Sequence, residues 1–138
     1  MPGLLDTLRE FPSAAVTDEI GALSRWRLSG RDWQATVLVE PGRWLGLAFE
    51  ARDPATGRRA TYDLDTDGQL GYAAEVERDI VEFLGNLRRG RVLRGRDGRK
   101  FVLVFPLDGA YVRVVRGRFL TRASTHATRP GGDFVPLG

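Results

Sequence analysis

The sequence predicts an α+β fold: an N-terminal helical segment, a four-stranded antiparallel meander, a central amphipathic helix, and a second antiparallel meander of three to four strands. Three observations predict it. Four consecutive segments between Ala22 and Leu64 alternate apolar and polar residues and agree on one buried face. Residues 73–89 then repeat apolar side chains at helical spacing. Beyond them, Asp97-Gly98 and Asp108-Gly109 punctuate the chain as hairpin turns.

Residues 3–23 read as helix with one interruption. Leu4, Leu5, Leu8 and Phe11 share a helical face. Pro12 then breaks or kinks the chain, and Ser13 can cap a second short helix with Val16 and Ile20 on its face. In 22–29, Ala22, Trp26 and Leu28 lie on one side and Arg25 and Arg27 on the other. Trp33, Ala35, Val37 and Val39 group together in 32–40. A two-residue Gly30-Arg31 turn would pair Leu28 with Trp33 and Trp26 with Ala35. A three-residue Pro41-Gly42-Arg43 loop sets Val39 opposite Leu45 and Val37 opposite Leu47, with Trp44 on the other face. Ala60, Tyr62 and Leu64 oppose Ala51, Phe49 and Leu47 across the polar loop 53–59. A slip of one residue would invert a strand, so the agreement outweighs any single segment.

Val76, Ile80, Phe83, Leu84 and Leu87 make the apolar stripe of the central helix. Glu75, Glu77 and Asp79 begin it and Arg88 and Arg89 end it, as the helix dipole favours. Gly90 stops it. Strands follow at 91–96, 99–107 and 110–118; residues 101–105, FVLVF, are apolar throughout and should be central. Residues 119–127 add an edge strand. The chain therefore reads as one domain over 1–128 with a flexible, Pro- and Gly-rich tail at 129–138.

With 138 residues, 42% hydrophobic and 28% charged, the composition is that of a soluble globular domain able to bury a core. No apolar run is long enough to span a membrane, and the N-terminal stretch lacks the basic region of a signal peptide. The absence of cysteine excludes thiolate chemistry and suits a reducing cytoplasm. Charge is distributed unevenly. Up to Leu87 there are 9 Arg against 15 Asp and Glu, a net of −6; from Arg88 there are 12 Arg and Lys against 3 Asp, a net of +9.

Four features carry candidate chemistry. Asp63, Asp65 and Asp67 precede Gly68 in a D-x-D-x-D-G spelling, the first half of a calcium loop, where converging carboxylates grip a hard cation. The acidic ligand that should close it falls one residue late, at Glu75. The letters YDLD at 62–65 resemble the opening aspartate motif of haloacid-dehalogenase-type phosphatases. Thr66-Asp67 replaces the Gly-Thr of that motif, and the βαβ alternation of that fold is missing, so the resemblance stops there. Arg88, Arg89, Arg91, Arg94, Arg96, Arg99 and Lys100 form a basic cluster able to grip phosphates or an acidic protein. His126 is the one histidine, with no sequence-adjacent nucleophile motif to use it.

The expectation is a non-catalytic cytoplasmic module of bacterial type that binds a protein partner through its charge-polarised surface, as an adaptor, chaperone-like or immunity-like protein. Nucleic-acid binding at 88–100 is the alternative, and a divalent-ion site at Asp63, Asp65, Asp67 and Glu75 is a weaker one. Neither a cofactor other than calcium nor a membrane is expected.

Overall fold

The computed structural model describes residues 3–11, 15–20, 23–40, 44–66 and 73–137. Helix α1 (Leu4–Glu10) leads into sheet A, strands β1 (Ala15–Ile20), β2 (Leu23–Ser29), β3 (Trp33–Glu40), β4 (Trp44–Arg52) and β5 (Arg59–Asp65). Helix α2 (Ala73–Arg88) then crosses to sheet B, strands β6 (Leu93–Asp97), β7 (Lys100–Leu107), β8 (Ala110–Arg116), β9 (Thr121–His126) and β10 (Val135–Pro136). Both sheets are antiparallel, with orders β1-β2-β3-β4-β5 and β10-β6-β7-β8-β9. The predicted α+β architecture is present, and FVLVF is the central strand of sheet B, buried at every position.

Alternation and short connections dictate most of the pairing. Val39 faces Leu45 and Val37 faces Leu47; Phe49 faces Tyr62 and Ala51 faces Ala60. Sheet B closes with two tight turns. Gly98 has φ 62 at the first position of a two-residue loop between Asp97 and Lys100, as a type II′ turn requires. Asp108 and Gly109 have φ 52 and 76, the two positive values of a type I′ turn.

Three expectations are corrected. Residues 15–20 form a strand, not a second helix. Val16 and Ile20 are four apart, a spacing that a helix and a strand share, and the β-branched Val16, Thr17 and Ile20 favour pairing with the edge of β2. The expected break and cap at Pro12 and Ser13 lie outside the described residues, as does Ala22. The β2–β3 hairpin is longer than a Gly-Arg turn: Leu28 pairs with Ala35 and Trp26 with Val37, with Gly30 N–H donating to the Trp33 carbonyl at 3.0 Å. The Trp33 indole lies where a Gly30 side chain would be, which holds the wider turn. The register moves by two residues, so every side chain keeps its face.

The third correction concerns the tail. Val135 and Pro136 pair with Arg94 and Leu93, Leu137 N–H donates to the Val92 carbonyl at 2.9 Å, and the Leu137 side chain joins the core. Phe134 lies over Gly95, where a β-carbon would come within 2.8 Å of the Asp133 carbonyl and closer still to the Phe134 ring. Proline and glycine make this stretch look loose, yet its apolar residues find a place to bury.

The core is the space α2 fills between the sheets. Phe83 meets Phe49 of sheet A at 4.9 Å and Phe105 of sheet B at 5.0 Å, both edge to face, and Tyr62 bridges to Phe105 at 5.0 Å. The buried Asn86 donates to the Pro106 carbonyl at 2.6 Å, a tie between α2 and β7. Gly90, at φ 70, ends the helix, and Arg91 N–H reaches back to the Asn86 carbonyl.

Replacing Phe83 with Ala should lower unfolding free energy by about 3–5 kcal/mol in a denaturant titration, with the slope unchanged. Leu137→Ala should cost about 2 kcal/mol or more; a loose tail would show no loss.

Candidate functional site

The basic cluster does not form one stripe. Alternation along β6 turns Arg94 and Arg96 to the face shared with Phe101 and Leu103, toward α2, while Lys100 falls on the outer face. Arg94 is half-buried between Leu103 and Val135, and its Nε is buried without a hydrogen bond. Arg96 reaches across to sheet A and binds both oxygens of Asp53 at 2.6 and 2.7 Å. Arg88 pairs with Glu10 of α1 at 3.3 Å. Arg89 lies along Gly85 at the exposed end of α2, Arg91 follows it on the surface, and Arg99 sits in the β6–β7 turn. Arg113, on the outer face, pairs with Asp97 at 2.8 Å. Several of these arginines are thus occupied by the molecule's own carboxylates.

Asp53 is a buried carboxylate, only 2% exposed. Burial pushes its pKa up, but donors from Thr56 Oγ1 (2.8 Å), the Ala55 N–H (3.0 Å) and Arg96 outweigh that and hold it below its ordinary 3.8. The pair links the β4–β5 loop to β6.

What the structure gathers at one end of sheet B was not apparent in the sequence. The β8–β9 turn is closed by Gly117 N–H donating to the Leu120 carbonyl at 2.8 Å, and it leaves Phe119 80% and Leu120 60% exposed. The Arg118 guanidinium stands 5.3 Å from the Phe119 ring centre. Lys100, Val115 and Arg122 complete a shallow groove of about 260 Å³ against these three residues. The spelling RGRFLTR carries the signal: two bulky apolar residues in a glycine-containing turn between arginines. Expecting a strand from residue 119 hid it.

The other end of the same sheet is acidic. Asp108, in the β7–β8 turn, donates its N–H to Glu82 Oε1 of α2 at 2.9 Å. Asp79 lies beside it, its pKa pushed up by burial and then by Asp108, Glu82 and Glu75, against the opposing pull of Arg78. Because β7 runs from Lys100 to Leu107, the two poles are separated by roughly 25 Å of strand.

Of the residues proposed for a metal, Asp63, Asp65 and Glu75 are described. Asp63 and Asp65 point outward from the same face of β5, paired with Ala48 and Gly46. Burial and then the charge of Asp65 push the Asp63 pKa up. Glu75 is exposed in the first turn of α2, and Asp67 lies outside the described residues. Among the described residues no three acidic or histidine side chains are placed to hold an ion. His126 Nε2 lies 2.8 Å from Ser124 Oγ on the exposed face of β9, a serine and histidine in contact. Of the tryptophans, Trp33 is core, Trp26 is half-buried with Nε1 donating to Ser24 Oγ at 3.0 Å, and Trp44 is half-exposed beside Gly46.

Among the described residues, no helix is long and apolar enough to cross a membrane. Comparison with known protein families, with characterised proteins and with solved structures finds no match to this chain.

Asp53→Asn should cost about 2 kcal/mol at neutral pH, measured by chemical unfolding. The pKa of Asp53 is lower folded than unfolded, so its contribution is complete above the ordinary 3.8 and is lost as pH falls through the folded value. The gap between wild type and variant should therefore close under acid.

Proposed function

We propose that the protein is a non-catalytic interaction module that docks a protein partner through the basic end of sheet B. The single observation behind this is the pair Phe119 and Leu120, exposed together and ringed by Lys100, Arg118 and Arg122. Water-exposed apolar side chains of this size are costly to keep unless something covers them. An apolar centre inside a charged rim is the anatomy of a protein interface, in which the rim steers the partner and the centre supplies the affinity. The rim here selects an acidic partner. An adaptor, chaperone-like or immunity-like role in a bacterial cytoplasm suits such a module.

One observation favours a second reading. An aromatic ring beside a guanidinium is also a platform on which a nucleobase stacks, so single-stranded nucleic acid is the rival ligand. The internal pairing of Arg88, Arg96 and Arg113 counts against it, because it breaks the track a phosphate backbone would follow.

Wild type and a Phe119→Ser, Leu120→Ser variant should unfold alike, since both residues are exposed. Capture from host extract should retain a stoichiometric protein on wild type alone and release it as salt rises. Equal capture by both forms refutes the site. Salt-sensitive retention of a labelled single-stranded oligonucleotide, lost on charge reversal at Lys100 and Arg122, would replace the leading reading with its rival.

A further inference from the structure

Each sheet has two edges, and three of the four are guarded. In sheet A, β1 is bulged between Val16 and Asp18, and β5 exposes charges at Arg59, Asp63 and Asp65. In sheet B, β6 is capped by β10, a two-residue strand that includes a proline. Bulges, edge charges, prolines and short strands are the ordinary means by which a sheet refuses a further strand. β9 has little of this. It pairs with β8 over six residues in unbroken register, contains no proline, carries one full charge at Arg122, and is exposed at every residue after Thr121. Among the described residues, no backbone group outside β8 hydrogen-bonds to it. Half of its N–H and C=O groups therefore face outward in the geometry that a new strand would meet.

We propose that β9 is a docking edge, and that an extended acidic segment of the partner adds to sheet B alongside it as a further strand. This rests on the protein-partner reading and states how the partner binds. Main-chain pairing would supply affinity, and side chains on alternate positions would supply selectivity. The charges beside the edge define the segment. Arg122 lies on the outer face, with Lys100 and Arg118 at the end where β9 begins, while the nearby Asp97 is already held by Arg113. Aspartate or glutamate on the outward positions of the added strand would meet these cations. On the other face Thr121, Ala123 and Thr125 are small and leave room for β-branched side chains. Where the added strand passes the β8–β9 turn, an apolar residue would cover Phe119 and Leu120. A second copy of this chain fits poorly, because β9 carries no carboxylate to meet Lys100, Arg118 and Arg122.

The probe is a short capped peptide alternating glutamate with valine, followed by fluorescence anisotropy. Its controls are the lysine-for-glutamate peptide and the acidic peptide N-methylated on alternate amides. The acidic peptide should bind and weaken with salt, the lysine peptide should not bind, and N-methylation should abolish binding. Arg122→Glu should weaken it about tenfold or more while the protein stays folded. Amide exchange should slow along 121–126 when the peptide is present. No binding by the acidic peptide, binding indifferent to N-methylation, or β9 protection that rises with protein concentration alone overturns the inference. If a host protein is captured in a Phe119-dependent way but β9 amides exchange unchanged in that complex, strand addition fails while the partner reading stands.

Discussion

Phe83 is where the two sheets meet. Its ring touches an aromatic residue of β4, of β5 and of β7, and it does so from a helix that belongs to neither sheet. Each sheet presents one apolar face and can hide it only against another layer. The stripe of α2 is that layer for both. Ile80, Phe83, Leu84 and Leu87 are buried together, and α1 joins the same cluster through Leu4 and Leu8, with the Leu4 N–H donating to Glu77 of α2 at 3.2 Å. Asp53–Arg96 and Asn86–Pro106 tie the periphery of this arrangement.

Local pattern made much of this legible. Period-two alternation and short loops left β3, β4 and β5 a single register, and the i, i+4, i+7 stripe located α2. What the sequence concealed depends on distant contacts. The wider β2–β3 turn follows from an indole lying over Gly30. The strand at 15–20 follows from the open side of β2, since a four-residue spacing cannot separate helix from strand. The fixed C-terminal segment follows from Phe134 over Gly95 and Leu137 in the core. None of these leaves a periodic trace.

The charge asymmetry holds as a count along the chain and takes a different shape in the fold. A run of basic residues in the chain becomes, in a strand, two sets facing opposite ways, so Arg94 and Arg96 part from Lys100. The sign change at Arg88 does not divide the molecule into an acidic and a basic half. Asp108 belongs to the basic stretch of sequence yet joins the acidic flank of α2, and the polarity runs along the strands of sheet B. Turns alternate between the ends of a meander, so residues ten apart are sent to opposite poles and residues twenty apart return to the same one.

That meander order has a kinetic side. Within each sheet, β1 to β5 and β6 to β9, every strand pairs with its immediate neighbour in sequence, so the loops closed on pairing are short. Low contact order of this kind favours rapid formation of each hairpin. The contacts that close the longest loops are those on α2, where aromatic rings from segments more than fifty residues apart, Phe49 and Phe105, meet the same side chain. A sheet formed ahead of those contacts would leave its apolar face open to water, and in sheet B the edge of β9 would lie open beside it.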